Sequence, residues 1–315
     1  MGVTMEFGLW KQVLVLGLLQ AGMYGILPIA IVLSYRISRT IAFVHGGIAL
    51  AGALAYRVMT QGTGNFLDIN KQPVNPRIAI LLVMLIGAVL GAAYGAVVMS
   101  QKVSALPGIT LTVISLGAML MTIAIAALVL HPGGLSVAPT PFTEKGKMIG
   151  GYLVNGHRAA TFLIVVVLVT ILAIVLNTTY SGLSIRAIAD DLEASIWCGA
   201  KLRLIGTGVY GVSGAVAGLA GALYCGTVAA GLDSMLQLFM TGLILAVVGG
   251  LRSVPLALAG SVMFGILETA LRVGFFGEMK GGFQELIQDV ALFLLILMVA
   301  RTRKENFFLL GRPSL

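Results

Sequence analysis

Few side chains in this sequence are of a type and spacing that could do chemistry. His45, His131 and His157 are the only histidines, far apart, and no HExxH, CxxC or Ser/His/Asp grouping stands out. A zinc hydrolase or a nucleophilic triad therefore has no residues to work with. The two cysteines, Cys198 and Cys225, fall in a charged segment and an apolar one, which suggests neither a disulfide framework nor a metal site. Gly206, Gly208 and Gly211 satisfy GxGxxG. That fingerprint needs a preceding strand, and here it opens an apolar helix, so dinucleotide binding is rejected. No GxxxxGK[ST] occurs, so the chain has no Walker loop for ATP. Two ionisable residues inside apolar runs are candidates for function by default: His45 in IAFVHGGIALAG and Glu268 in GILETAL. His45 lies about one turn from the end of its run, where a local hydrogen bond would also account for it. Arg272 stands at i+4 from Glu268, the right spacing for an ion pair.

The stretch Ser181–Leu204, SGLSIRAIADDLEASIWCGAKLRL, is the one long segment of the second half with charge throughout. At about 100° per residue, Ile185, Ile188, Leu192, Ile196 and Gly199 share one helical face. Arg186, Asp190 and Glu193 fall opposite, with Trp197 among them. Ser184 is the expected N-cap. The spacing predicts one short amphipathic helix over 184–199, lying between two membrane spans with its polar face outward. Such a helix could rest on lipid headgroups. Asp190, Asp191 and Glu193 spoil the basic face that lipid prefers, which favours a protein partner.

The elements around it are apolar. Of 315 residues, 58% are hydrophobic and 10% charged, with mean hydropathy +1.03. A soluble domain carries about a quarter charged residues, so this is a polytopic, all-α membrane protein. The formal charge of +8 reports loops and a tail facing anionic lipid rather than nucleic-acid binding. The N-terminus has no basic n-region, and its first apolar run is too long for a signal peptide.

Nine apolar runs are expected to span: 10–33, 41–59, 77–100, 108–130, 159–177, 205–229, 237–248, 256–271 and 286–300. Each needs roughly 20 residues, so 237–248 is too short to cross straight and must be tilted, re-entrant or extended by Met235 and Leu236. Pro28 is expected to kink the first span. Gly87, Gly91 and Gly95 form a close-packing stripe in the third. The pentapeptide LAGAL occurs at 50–54 and again at 219–223; transporters often contain internal repeats, but in a chain this rich in Leu, Ala and Gly coincidence is the favoured account. Arg301, Arg303, Lys304 and Arg312 crowd the C-terminus beside a span. The positive-inside rule then makes the C-terminus cytoplasmic and, with nine crossings, the N-terminus external. The charged segment, the turn holding Arg36 and Arg39, and the turn holding Arg252 fall inside.

A resemblance joins these observations. Arg186-Ala187, then Asp190 or Asp191, Ala194 and Gly199-Ala200, followed by a basic turn and a Gly/Ala-rich span, resemble the cytoplasmic loop of permease subunits of branched-chain amino-acid-type ABC importers. IAFVHGGIALAG, PGITLTVISLGAML and LILAVVGGLRSVPLALAGSVMFGILE are similar to further segments of that family, except that Leu256-Ala257 follow the proline where Gly-Ala is usual. The resemblance covers nearly the whole chain. It implies one permease domain over 1–315, with the loop 181–204 as the coupling helix that docks on an ATPase subunit. Arg186, Asp190, Asp191, Glu193, Ala194, Trp197 and Gly199 would make that contact. His45, Thr112, Ser115 and Glu268 would be candidates for the translocation path. It further implies a second permease subunit, two ATPases that use the ATP, a periplasmic or lipid-anchored binding protein, and residence in a bacterial or archaeal plasma membrane. The cargo would be branched-chain or other small amino acids, urea or short amides. No cofactor or metal is expected on this chain, and no catalysis. The competing reading is an ion-coupled secondary transporter, whose sites would lie on ionisable residues or broken helices near the midplane.

Overall fold

A computed structural model of the protein describes residues 2–62, 73–100, 103, 106–130, 137–142, 146–149, 152–229, 231–251, 253–274 and 283–302. Among them the chain is helical apart from one hairpin. The helices are α1 (Gly2–Ser38), α2 (Val44–Gln61), α3 (Pro76–Val98), α4 (Gly108–Leu130), α5 (Gly156–Thr178), α6 (Tyr180–Asp190), α7 (Leu192–Trp197), α8 (Leu202–Cys225), α9 (Leu232–Val248), α10 (Val254–Gly274) and α11 (Phe283–Thr302). The strands β1 (Lys147–Ile149) and β2 (Tyr152–Val154) pair antiparallel, with Met148 opposite Leu153, inside the long loop before α5.

Among the described residues six helices are, by length and composition, long and apolar enough to cross a membrane: α1, α3, α4, α5, α8 and α10. Each of the nine expected spans coincides with a helix, but three are of another kind. The run expected at 237–248 is extended N-terminally to Leu232, giving α9 17 residues. That is about 25 Å of helix, still short of a hydrocarbon core of about 30 Å. The apolar part of α11 is also short, 287–297. α2 has 18 residues, of which 16 are buried. It carries His45 and Arg57 because protein, not lipid, surrounds it. α1 is longer than expected and runs on through Pro28.

Glycine sets the layering around α2. α8 packs against α2, α3 and α1. The stripe Gly87, Gly91 and Gly95 of α3 meets Gly214, Tyr210 and Thr207 of α8, running antiparallel. A Cβ on Gly91 would fall onto the carbonyl oxygen of Tyr210 and lie 2.9 Å from the Cα of Gly214. On the other side α8 runs parallel to α2. There a Cβ on Gly52 would lie 2.8 Å from the Gly218 carbonyl oxygen, and one on Gly221 would meet the backbone of Ala49. The two LAGAL segments thus lie side by side at one helix–helix contact. Lipid gives helices no hydrophobic reason to associate, so small residues that let backbones touch supply the packing.

The two ends of the bundle differ. At one, Tyr56 donates to the Pro139 carbonyl at 2.7 Å, the Ala138 amide donates to Cys225 at 3.1 Å, and His157 Nε2 lies 3.0 Å from the Leu223 carbonyl oxygen. At the other, the turn after α1, the start of α4 and the N-terminus of α8 come together with α6 and α7. Thr40 lies beside Gly108, and Ile37 and Met99 lie beside Gly206. This second end presents the charged segment.

Candidate functional site

The charged segment is two helices rather than one. Thr179 caps α6, its hydroxyl accepting from the Gly182 amide at 3.0 Å. The expected cap, Ser184, instead sits inside α6 and donates to the Tyr180 carbonyl at 3.0 Å. Asp191 ends α6 in an extended conformation, φ −142° and ψ 109°, and its carboxylate accepts from the Ala194 amide at 3.0 Å to start α7. An aspartate is a better helix start than a helix interior, and two in succession let the chain break there.

The break changes which residues face inward. Ile185 and Ile188 are buried, as the periodicity requires. Leu192 and Ile196 are 42% and 49% exposed, against the expectation that they continue the same buried stripe. A stripe counted at about 100° per residue holds only while the helix is unbroken, so beyond Asp191 the register is lost. Ile196 lines an open cleft of about 1040 Å³ between the ends of α3 and α8, with Met99, Lys201 and Arg203. Arg186 and Asp190 line a different cavity, between α1, α5 and α6. The single outward face expected to join Arg186 and Asp190 to Trp197 is therefore divided. Glu193 lies in α7, its side chain outside the described residues.

Gly199 has a structural reason to be glycine. It adopts φ +89°, its amide bonds the Ile196 carbonyl at 2.9 Å, and the Ala200 amide bonds Ser195 at 3.0 Å. This pair of bonds is a Schellman motif, which needs a left-handed residue at that place. Asp191 and Gly199 thus fix both ends of a six-residue helix. That helix presents Ala194 and Trp197 outward, with Trp197 89% exposed.

The four path candidates do not converge. His45 is fully buried. Its Nδ1 lies 2.9 Å from the Ala42 carbonyl oxygen, and its Nε2 lies 2.9 Å from Ser213 Oγ on α8. The Ser213 hydroxyl also lies 3.0 Å from the Tyr210 carbonyl oxygen, within its own helix, so the contact with His45 ties α2 to α8. Ser115 is also buried; it accepts from the Phe43 amide at 3.2 Å and donates to Thr112 at 2.7 Å, fastening α4 to the start of α2. Thr112 donates to Gly108 within its own helix at 2.9 Å. Glu268 is buried at the far end of α10 and pairs with Arg272 at 2.7 Å, the i+4 partner the spacing offers. Ser213 was not legible as the partner of His45, because 168 residues separate them in sequence. Among the described residues no group of three or more His, Cys, Asp or Glu is placed to hold a metal ion.

The expected contact residues therefore sit at one end of the bundle, on or beside α6 and α7, apart from the polar contacts that tie α2 to α8 and α4 and from the Glu268–Arg272 pair within α10. No curated protein and no solved structure matched the chain. The family described as branched-chain amino acid transport system, permease component, has a model that matches residues 13–300, and with nearly the whole chain covered the protein belongs to that family of membrane permeases.

Proposed function

We propose that this chain is the membrane-spanning, non-catalytic subunit of a binding-protein-dependent ABC importer. It carries branched-chain or other small amino acids, urea or short amides into the cytoplasm on ATP hydrolysed by separate subunits. The observation that carries the reading is α7. An indole 89% exposed at the end of a helix capped at both ends is costly in water and suited to a pocket on a partner. Two ATPases, a second permease subunit and a periplasmic or lipid-anchored binding protein complete the assembly in a bacterial or archaeal plasma membrane. Burial of His45 and pairing of Glu268 leave ion coupling with few sites, which weighs against a secondary transporter.

Uptake measured in cells lacking the partner ATPase tests the reading. Transport is expected to fall to the background of cells without the permease. Undiminished, gradient-driven uptake would favour the secondary transporter instead.

In this reading the α6–α7 end faces the cytoplasm, with the C-terminus on the same side and the N-terminus outside. A reporter active only outside the cytoplasm, fused to Leu315, is expected to stay silent, and the same reporter fused at the N-terminus to be active. An active C-terminal fusion would mean that one of the nine helices does not cross, with α9 the first to examine.

A further inference from the structure

We infer that the cavity between the ends of α1, α5 and α6 is a binding site for the phosphate of an anionic phospholipid headgroup. Tyr35, Arg36, Arg39, Asn177, Arg186 and Asp190 line it, together with Ala189, around a volume of about 460 Å³. Three guanidinium groups from two distant parts of the chain meet there with one carboxylate. The Arg39 guanidinium donates to the Ala189 carbonyl, and that of Arg186 to the Asn177 carbonyl at 3.5 Å. Both acceptors belong to the last turns of α6 and α5, where free carbonyls and the helix dipole attract cations. Both acceptors are uncharged carbonyls, so these bonds aim Arg39 and Arg186 without neutralising them, and Arg36, partly desolvated, is also acted on by the like charge of Arg186. An anion in the cavity removes that repulsion. The planar guanidinium fork suits a phosphate in particular.

Arg39 itself is an independent sign. It ends α1 with φ +54°, its amide bonding the Tyr35 carbonyl at 2.9 Å. This is the left-handed cap position where glycine is the usual residue and a side chain is disfavoured. An arginine held there against its backbone preference points to a use for its guanidinium.

The position selects lipid as the source of the phosphate. The cavity opens where the apolar spans α1 and α5 end. Tyr180 and Leu183, on the same short helix as Arg186, are 91% and 56% exposed, as expected for side chains at headgroup level. Ile174, three residues before Asn177, and Ile171 beyond it are exposed along α5 and give acyl chains an apolar track leading from the cavity. Basic pockets between membrane helices hold headgroups in this way. Trp197 and α7 take no part, whereas Arg186 and Asp190 are also expected ATPase contacts, so lipid retention and ATPase docking are read separately.

The test uses the purified full-length protein in mild detergent, mixed with phosphatidylglycerol or phosphatidylcholine of matched acyl chains, with retained lipid counted by native mass spectrometry. The parent is expected to retain phosphatidylglycerol in preference. Each surface arginine contributes about fivefold to attraction for anionic lipid, so Arg36→Gln, Arg39→Gln and Arg186→Gln together should lower that preference by on the order of tenfold to a hundredfold. Should the triple variant fail to fold, Arg39→Gly decides: glycine suits the left-handed cap, so the melting temperature should hold or rise while the lipid preference falls by about fivefold. Equal retention of the two lipids by the parent, or an undiminished preference in Arg39→Gly, overturns the inference. Two further results also overturn it. One is inorganic phosphate at millimolar concentration raising the melting temperature of the parent and displacing the lipid, which makes the site one for free phosphate. The other is arginine variants that lose a co-purifying ATPase while keeping their lipid preference, which gives the cavity to an acidic side chain of a protein partner.

Discussion

Trp197→Ala is expected to leave the permease in the membrane at parental level while ATPase co-purification and substrate uptake collapse. Truncating a buried aromatic anchor at an interface costs about 2–4 kcal/mol. Each 1.4 kcal/mol is a factor of ten, so docking should weaken roughly 30- to 1000-fold. The protein itself should not suffer, because Trp197 is 89% exposed and α7 is held by the Asp191 cap and the Gly199 turn rather than by the indole. Asp190→Lys serves as the contrast. Asp190 lines the arginine cavity rather than the cleft beside α7, so its reversal should reduce docking far less than loss of the indole. Both variants are read as ATPase co-purification and uptake, normalised to membrane level. Parental docking and transport by Trp197→Ala would show that α7 faces lipid or solvent, and the assignment of this segment to coupling would fail.

Gly91→Val should unfold the bundle at one of its closest helix contacts. The added Cβ would meet the Tyr210 carbonyl and the Gly214 backbone, and neither can rotate away as a side chain would. Overpacking a close contact typically costs about 1–3 kcal/mol, and more where backbone must move; the upper end or beyond is expected here, with α3 prised from α8. Detergent-purified variant should show a clearly lower melting temperature and a loss of monodisperse material. Gly117→Ala is the control. A Cβ there has nothing within 4 Å, and alanine favours the helix by about 0.5–1 kcal/mol, so stability should hold or rise slightly. Equal losses in both variants would mean that glycine matters for something other than the α3–α8 approach.

The helices themselves were legible in the sequence, because the reason for them is local. In a lipid phase every backbone amide and carbonyl must be satisfied within its own segment, so an apolar run of sufficient length is a helix whatever it packs on. That is why 108–130 coincides with α4 and why the run at 77–100 lies within two residues of α3. The stripe Gly87, Gly91 and Gly95 announced a close contact for the same reason, though not its partner. The i+4 pair of Glu268 and Arg272 was legible too, since one turn of helix holds both. The amphipathic segment was half legible. Ile185 and Ile188 are buried as counted, but Leu192 and Ile196 are not, because Asp191 satisfies an amide of the next helix and breaks the count. What only tertiary structure decided are the meetings of residues far apart in the chain. His45 finds Ser213 across 168 positions, and Arg39 reaches Ala189 across 150. α2 becomes an almost wholly buried helix only once α8, α3 and α4 pack around it. Hydrophobic periodicity tells a residue to leave water, whereas which helix it then touches depends on backbone approach between glycines of different helices, and no local pattern carries that.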